Sequence, residues 1–412
     1  MTRTHVIGAG LAGLSAALAL VDAGRNVIVY EAGPAAGGRC RSYQDRALGL
    51  TIDNGNHLLL SGNAAAFAYL DRIGARDTMG GPEEPVFPFI DIPSSARWTV
   101  RPNRGRLPWW IFSAARRVPG TRATDYLSLL GLRFISDDRS VADALKQGLL
   151  THRLIAPLAI AALNTKLDTG LARLLGAVVK ETLMLGGAAC IPRFPRASLA
   201  DSLIDPAIAA LQAGGAAIHF SRRIAGLEIV GNRVAALQTP DETVRVGRGD
   251  SVLLAVPPWI AADMLPGLPT PDAFEAILNI HFRTEAAPGE AGFVGLVGGT
   301  AEWVFVKPGH VSVTVSAANA MVDLPAEAIA AAVWPDVRAA LGLTGEMPAW
   351  RVVKEKRATF AATAAQDRKR PPARTGLVNL ALAGDWTATG LPATIEGAIR
   401  SGASAARIIL AT

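Results

Sequence analysis

At 412 residues, half of them hydrophobic and 18% charged, the chain is too long for one simple core and too apolar to stay disordered, so two intertwined folded units are expected. Its two cysteines, Cys40 and Cys190, lie far apart, which excludes a disulfide framework and suits a reducing cytosol. The formal charge of +6 suits an anionic partner; without helix-turn-helix, RNA-binding or zinc-finger spacing the reading turns from nucleic acid toward a membrane surface, and no metal-ligand cluster or Ser-His-Asp arrangement stands out.

The stretch from Thr4 to Arg39 orders everything after it. An apolar run, His5-Val6-Ile7, leads into Gly8-x-Gly10-x-x-Gly13; an Ala/Leu-rich segment then runs to about Ala23, Gly24 turns, and a second apolar run from Val27 to Tyr30 ends at Glu31. Strand, tight turn, helix, turn, strand, acid is the context in which such a triplet binds a dinucleotide. Gly8 makes the turn, Gly10 admits a pyrophosphate against the backbone, and Gly13 lets helix and strand pack closely. The helix N-terminus favours the phosphates, and Glu31, about 20 residues on, accepts from a ribose hydroxyl. Val6 to Val21 resembles the apolar core of a secretory leader only superficially, because one arginine precedes it and the polar turn Asp22 to Asn26 leads straight into another strand.

A second glycine turn, Gly37-Gly38-Arg39, follows Glu31-Ala32, and a guanidinium there suits a ligand with two phosphates and a long extension. The run Glu31-Ala32-x4-Gly37-Gly38-Arg39 resembles the extended fingerprint of the flavoprotein superfamily that contains amine oxidases and phytoene desaturases. The resemblance implies FAD, with Ala32 among its contacts and Gly38 and Arg39 at its pyrophosphate. Farther on, Leu50 to His57 alternates like a strand and then presents Gly55 among small polar groups. In that superfamily the chain passes the isoalloxazine ring here, which makes Gly55, Asn56 and His57 edge candidates. His57 is either a proton donor, with Asp53 orienting it, or a satisfied, partly buried histidine.

From 76 to 197 the punctuation changes to prolines, tryptophans and apolar helices, as expected of an inserted unit. Arg101 to Arg117 interleaves five arginines with Trp109, Trp110 and Phe112, a mixture that suits a lipid headgroup boundary or, equally, a buried aromatic cluster with a basic rim. Ile155 to Thr165 and Leu183 to Ile191 carry almost no charge and read as core or as the lining of an apolar tunnel. Leu199 to Ala213 reads as one helix, followed by a meander of short strands over 217–246 and a buried strand from Ser251. The resemblance places an adenine-side contact at Ile224. Ile280-His281-Phe282 and Trp303 to Val306 read as strands flooring a pocket, and Gln366 to Arg374 as a basic loop.

At the other end, Leu380 to Ala383 is a buried strand ending in Gly384-Asp385, and a helix of small residues begins near Ala393. The resemblance gives Asp385 the ribityl or phosphate region and Thr394 and Ile395 the flavin N1/O2 edge, where helix N–H groups stabilise the reduced ring. The expected fold is therefore α/β: a Rossmann-like FAD-binding domain built from 1–75, 198–258 and 361–412, with an inserted α+β substrate domain from 76–197 and 259–360. The runs TGLPATIEGAIRSG, DNGNHLLL and ILNIHF are similar to the bacterial hydroxysqualene dehydroxylases. That likeness implies reductive loss of the allylic hydroxyl of hydroxysqualene to give squalene, at the inner face of the cytoplasmic membrane, with an upstream prenyl synthase as a partner. A polyene desaturase, an amine oxidase and a non-catalytic flavin-binding partner of a prenyl synthase are the alternatives.

Overall fold

The first helix, Leu11–Asp22, forms because alanine and leucine favour helix and every residue from Leu11 to Leu18 is buried. It follows the strand Arg3–Ile7 directly and ends where Gly24 takes a positive φ of 75°. The structure, a computed structural model, describes residues 2–412 apart from the Arg133 side chain. Five parallel strands lie in the order Ala217–His219, Asn26–Tyr30, Arg3–Ile7, Ser251–Leu254 and Leu380–Leu382, so the sheet draws on both ends and the middle of the chain. The C-terminal helix, Ile395–Leu410, packs on the first helix at touching distance: a Cβ on Gly402 would stand 2.2 Å from the Ala12 carbonyl oxygen. Ser15 Oγ also donates to Ile399 O at 3.0 Å across that crossing. A three-stranded meander, Gly226–Val230, Arg233–Gln238 and Thr243–Arg245, lies beside the parallel sheet.

A second sheet has seven strands, in the order Trp350–Phe360, Phe274–Phe282, His310–Val315, Trp303–Lys307, Phe293–Val297, Phe87–Asp91 and Ala96–Val100. All neighbours are antiparallel except Phe293–Val297 beside Phe87–Asp91. Alternation along the strands divides its residues between two faces. Val304, Val311, Val313, Ile280 and Phe282 form the outer face, covered by the helix Ala326–Leu341. On the inner face Trp303 and Phe305 meet Phe293 and Phe194, with ring centroids 5.8–6.3 Å apart, and the short helices of 109–191 close over them.

Two helices depart from the expected regularity for the same reason. The segment read as one helix from Leu199 to Ala213 has a wide π turn, Ala200–Ile204, before the α-helix Asp205–Ala213, and Thr151–Ile155 is a π turn before Ala156–Leu163. Each following helix carries proline at its second position, Pro157 or Pro206. A proline lacks the N–H that would close the preceding turn, and the chain answers with one extra residue in that turn.

Candidate functional site

The three glycines of the first turn do different work. Gly8 has φ 105°, and a Cβ on it would lie 2.5 Å from Ala255 O; one on Gly13 would lie 1.9 Å from Gly8 O. These two positions are closed by the protein itself. A Cβ on Gly10 meets nothing within 4 Å, so the space above that backbone is open. The second glycine turn borders the same space: Gly37 N–H donates to Ala9 O at 2.9 Å, and a Cβ on Gly38 would stand 3.6 Å from Gly10 Cα. The Glu31 carboxylate is fixed at the strand end by the N–H groups of Ala9 (2.9 Å) and Gly33 (2.8 Å), with Ala32 exposed beside it. The segment 221–224 runs alongside, since Ser221 N–H donates to Gly33 O and Arg222 N–H to Glu31 O, both at 2.8 Å. Ile224 is buried there among Ile7, Tyr30 and Leu254, two residues before its strand begins at Gly226.

The C-terminal motif meets the N-terminal one through Arg39, whose Nη2 donates to Asp385 Oδ1 at 2.6 Å and whose Nη1 donates to Ala358 O at 2.6 Å. Asp385 is buried while the Arg39 side chain keeps 41% of its surface accessible, as a group lining a cleft does. Gly384 N–H donates to Ser401 Oγ, which ties this turn to the C-terminal helix. Arg370, in the segment read as a plain basic loop, is in fact buried. It donates to the carbonyls of Thr387 (2.6 Å) and Asp385 (3.1 Å), pairs with Asp367 and lies over the Phe360 ring, and so holds the Gly384–Thr389 turn in shape. At the helix start Thr394 Oγ1 accepts from Gly397 N–H at 3.0 Å, and the N–H groups of Ile395 and Glu396 have no partner within the helix. Glu396 turns back to accept from Ala65 and Ala66 N–H, capping the helix Ala64–Arg72, and Arg400 joins it to Glu181.

The turn Asn54–His57 is pressed between the two sheets. Asn279 Nδ2 donates to Asn54 O (3.1 Å), Asn56 Nδ2 to Ser312 Oγ (2.8 Å) and Thr314 Oγ1 (3.1 Å), and Asn54 Nδ2 to Glu355 Oε2 (3.1 Å). Gly55 faces Asn279 so closely that a Cβ there would stand 3.1 Å from its amide nitrogen. These sheet residues were not singled out as site residues from sequence, though ILNIHF and HVSVTV place a polar residue at every second position of strands that are otherwise core.

The expectation that Asp53 orients His57 does not hold. Asp53 Oδ1 accepts from Ser42 Oγ (2.6 Å) and Leu199 N–H (2.8 Å), and its Oδ2 pairs with Lys307 Nζ. A buried carboxylate turns to the cation that cancels its charge, and that cation lies on the second sheet. The nearest polar contact of His57 is Cys40 Sγ, 4.0 Å from Nε2. Burial pushes His57 down to about 4, more than the Asp53 charge pulls it up, with Arg39 and Lys307 lowering it further. His57 is therefore neutral at physiological pH and is not a stored proton. Cys40 is no nucleophile either, since burial pushes its thiol up to about 12.

The residues fit a flavin dinucleotide. The open side of Gly10, the adjoining turn at Gly38, the guanidinium of Arg39 and a free helix N-terminus are donors for phosphates and for a ring edge. Two buried oxygens next to them, Asn54 Oδ1 and Asn56 Oδ1, have no hydrogen-bond partner. Among the described residues no group of histidine, cysteine, aspartate and glutamate is arranged to hold a metal ion.

Comparison with known proteins agrees with this geometry. Residues 11–287 and 304–410 match the family of flavin containing amine oxidoreductases. The chain is 46% identical over its whole length to a hydroxysqualene dehydroxylase of Zymomonas mobilis, covering 99% of that protein. It is 49% identical to the hydroxysqualene dehydroxylase of Rhodopseudomonas palustris, again over 100% of this chain and 99% of the other. In three dimensions it is similar to an oxidoreductase of Methanosarcina mazei, with a TM-score of 0.75 at 16% identity, over 98% of this chain and 99% of that one. With two glycine turns meeting at one open cleft, and near-half identity from end to end, the chain belongs to the flavin-containing amine oxidoreductases and, within them, to the hydroxysqualene dehydroxylases.

Proposed function

We propose that the chain is an FAD-dependent oxidoreductase that removes the allylic hydroxyl of hydroxysqualene reductively, giving squalene. The full-length identity to two hydroxysqualene dehydroxylases carries this reading. Gly8, Gly10, Gly13, Glu31, Ala32, Gly38, Arg39, Asp385 and Ile224 are the residues that would hold the dinucleotide, and Gly55, Asn56, His57, Gly384, Thr394 and Ile395 those that would border the ring. Bound there in its reduced form, FAD supplies a hydride to the carbon that loses its oxygen. One proton joins the hydroxyl as it departs, so alcohol, proton and hydride give hydrocarbon and water. The protein's own part is to exclude bulk water from an allylic cation, which the aromatic inner face around Trp303, Phe305 and Phe293 is suited to do. His57 enters neutral and offers a hydrogen bond at the ring edge. Anaerobic mixing of reduced holoprotein with hydroxysqualene is expected to restore the oxidised flavin band with one squalene formed per flavin. Reoxidation by oxygen alone, with no squalene, would overturn the reading in favour of an oxidase or a desaturase.

The same proposal includes docking at the inner face of the cytoplasmic membrane, where an upstream prenyl synthase would pass on its product. No helix among the described residues is long and apolar enough to cross a bilayer. In the arginine-rich stretch Trp109 and Phe112 are each 65% exposed, with rings 6.2 Å apart, and Leu107 stands out beside them. Trp110, by contrast, is buried edge-on against Tyr126 at 5.0 Å, so only part of the stretch is available to lipid. Trp109→Ala with Phe112→Ala is expected to weaken co-sedimentation with anionic liposomes by about tenfold or more, since each exposed ring is worth roughly 2 kcal/mol on burial. Unchanged co-sedimentation would remove this surface from consideration.

A further inference from the structure

We propose that Lys307 is a positioning residue for the reaction: by neutralising Asp53 inside the protein it fixes the Asn54–His57 turn where that turn meets the flavin ring. The inference rests on the flavin reading of the turn. Its basis is the convergence of four segments on one carboxyl-bearing residue. The Asp53 side chain is 2% exposed and that of Lys307 5%. Asp53 takes Ser42 from the neighbouring strand, the Leu199 amide from the start of the next segment, and Lys307 from the end of its strand in the second sheet. Its backbone oxygen accepts from His281 Nε2 at 3.1 Å. The very next residues are the turn. A carboxylate so enclosed stays ionised only while the ammonium cancels it, and loss of either partner leaves the other stranded.

Two imidazoles make the electrical balance at this point consequential. His281 Nε2 must carry its hydrogen to reach the Asp53 carbonyl, and His310 Nδ1 must carry its own to reach the Pro308 carbonyl at 3.2 Å. Each ring is then left with a bare nitrogen, Nδ1 of His281 and Nε2 of His310, and both are buried without a partner. The rings stand 5.7 Å apart. With the Lys307–Asp53 pair intact, this wall beneath the turn carries no net charge. The charged and titratable groups around Asp53 are Lys307, His310 and His281 from the second sheet and Cys40 and His57 from the dinucleotide side. Without Lys307, Asp53 is a buried carboxyl that nothing nearby fully compensates, negative at high pH and neutral at low pH. A negative charge there disfavours reduction of a flavin held above the turn.

The test compares FAD-loaded wild type with Lys307→Met, Asp53→Asn and the double variant Lys307→Met/Asp53→Asn. FAD content, the two-electron midpoint potential across neutral and alkaline pH, and kcat and KM for hydroxysqualene are read for each. Lys307→Met is expected to keep its FAD and its KM while kcat falls by about tenfold or more, a loss confined to the step after binding. It is also expected to gain an ionisation, in both kcat and potential, that wild type lacks. The double variant, free of the charge pair, is expected to lose that ionisation and recover part of kcat. Wild-type kcat and potential in folded Lys307→Met, or an ionisation that persists in the double variant, would overturn the proposal. Should Lys307→Met fail to fold, the double variant decides: a severalfold lower kcat with a potential that follows pH as the wild-type potential does supports it, and wild-type kcat sinks it. The potential needs no substrate, so a protein that ignores hydroxysqualene would sink the dehydroxylase reading while leaving this arm to be judged alone.

Discussion

Gly10→Val is expected to give a folded, monodisperse and colourless protein whose affinity for FAD is lower by about a thousandfold or more, near 4 kcal/mol. The reason is specific to this glycine. Its backbone is extended, with φ −77° and ψ 175°, a conformation that valine adopts readily. The added side chain meets no protein atom near its Cβ, so the polypeptide has no cause to object. Only a ligand lying against that backbone would be displaced. Gly13→Val provides the contrast, because there the Cβ would fall 1.9 Å from Gly8 O and the strand, turn and helix could not coexist. Loss of colour with an unchanged melting profile in Gly10→Val, against loss of fold in Gly13→Val, is the expected pair of outcomes. A yellow Gly10→Val protein with wild-type FAD content would mean that the dinucleotide does not lie over this turn.

Acidification is expected to unfold the protein early, between about pH 6.5 and pH 4, because buried imidazoles refuse protons that the unfolded chain accepts. Burial pushes His281 down to about 3, helped by the positive charge of Lys307 and the neighbouring His310; His57 falls to about 4, and burial also lowers His310. Folded-state values below the ordinary 6.5 mean that the unfolded state binds more protons throughout this window, so stability falls as pH falls. For the fully enclosed His281 the cumulative loss is on the order of 4 kcal/mol, a large share of the roughly 5–15 kcal/mol typical of a folded domain. Asp53 acts in a separate, lower window: Lys307 and its hydrogen bonds hold it below the usual carboxylate range, so its contribution disappears only below pH 3.8. Melting temperatures taken through this range check the claim, and His281→Gln should make the slope shallower. A melting temperature that stays level from pH 7 to 5 would contradict it.

The two ends of the cofactor site were legible in the sequence because their signals are local. Gly8, Gly10 and Gly13 sit within one turn, and Gly384-Asp385 closes a strand of three residues, so spacing alone exposes them. The parallel sheet followed, since two such ends imply one layer. What stayed hidden depends on pairings across hundreds of residues. Asp53 finds Lys307 on another sheet, 254 positions away, and no pattern near either residue announces the other. Arg370 sat in a run of cations that reads as solvated surface, yet a single buried ring and three carbonyl or hydroxyl acceptors claim it. Trp109 and Trp110 are adjacent in a basic stretch, and the short 3-10 turn Trp109–Phe112 sends one outward and the other inward. Composition treats such neighbours alike, whereas a single turn of helix does not.

The close crossing of the first and last helices has a bearing on how the protein is made. As the nascent polypeptide leaves the ribosome, residues 11 to 22 emerge long before the partner that covers one of their sides, 395 to 410. Arg39 likewise waits through 346 further residues for Asp385. The N-terminal half must therefore be shielded until residues 395 to 410 have emerged, and the nucleotide can be captured securely only once both helices are available to pack.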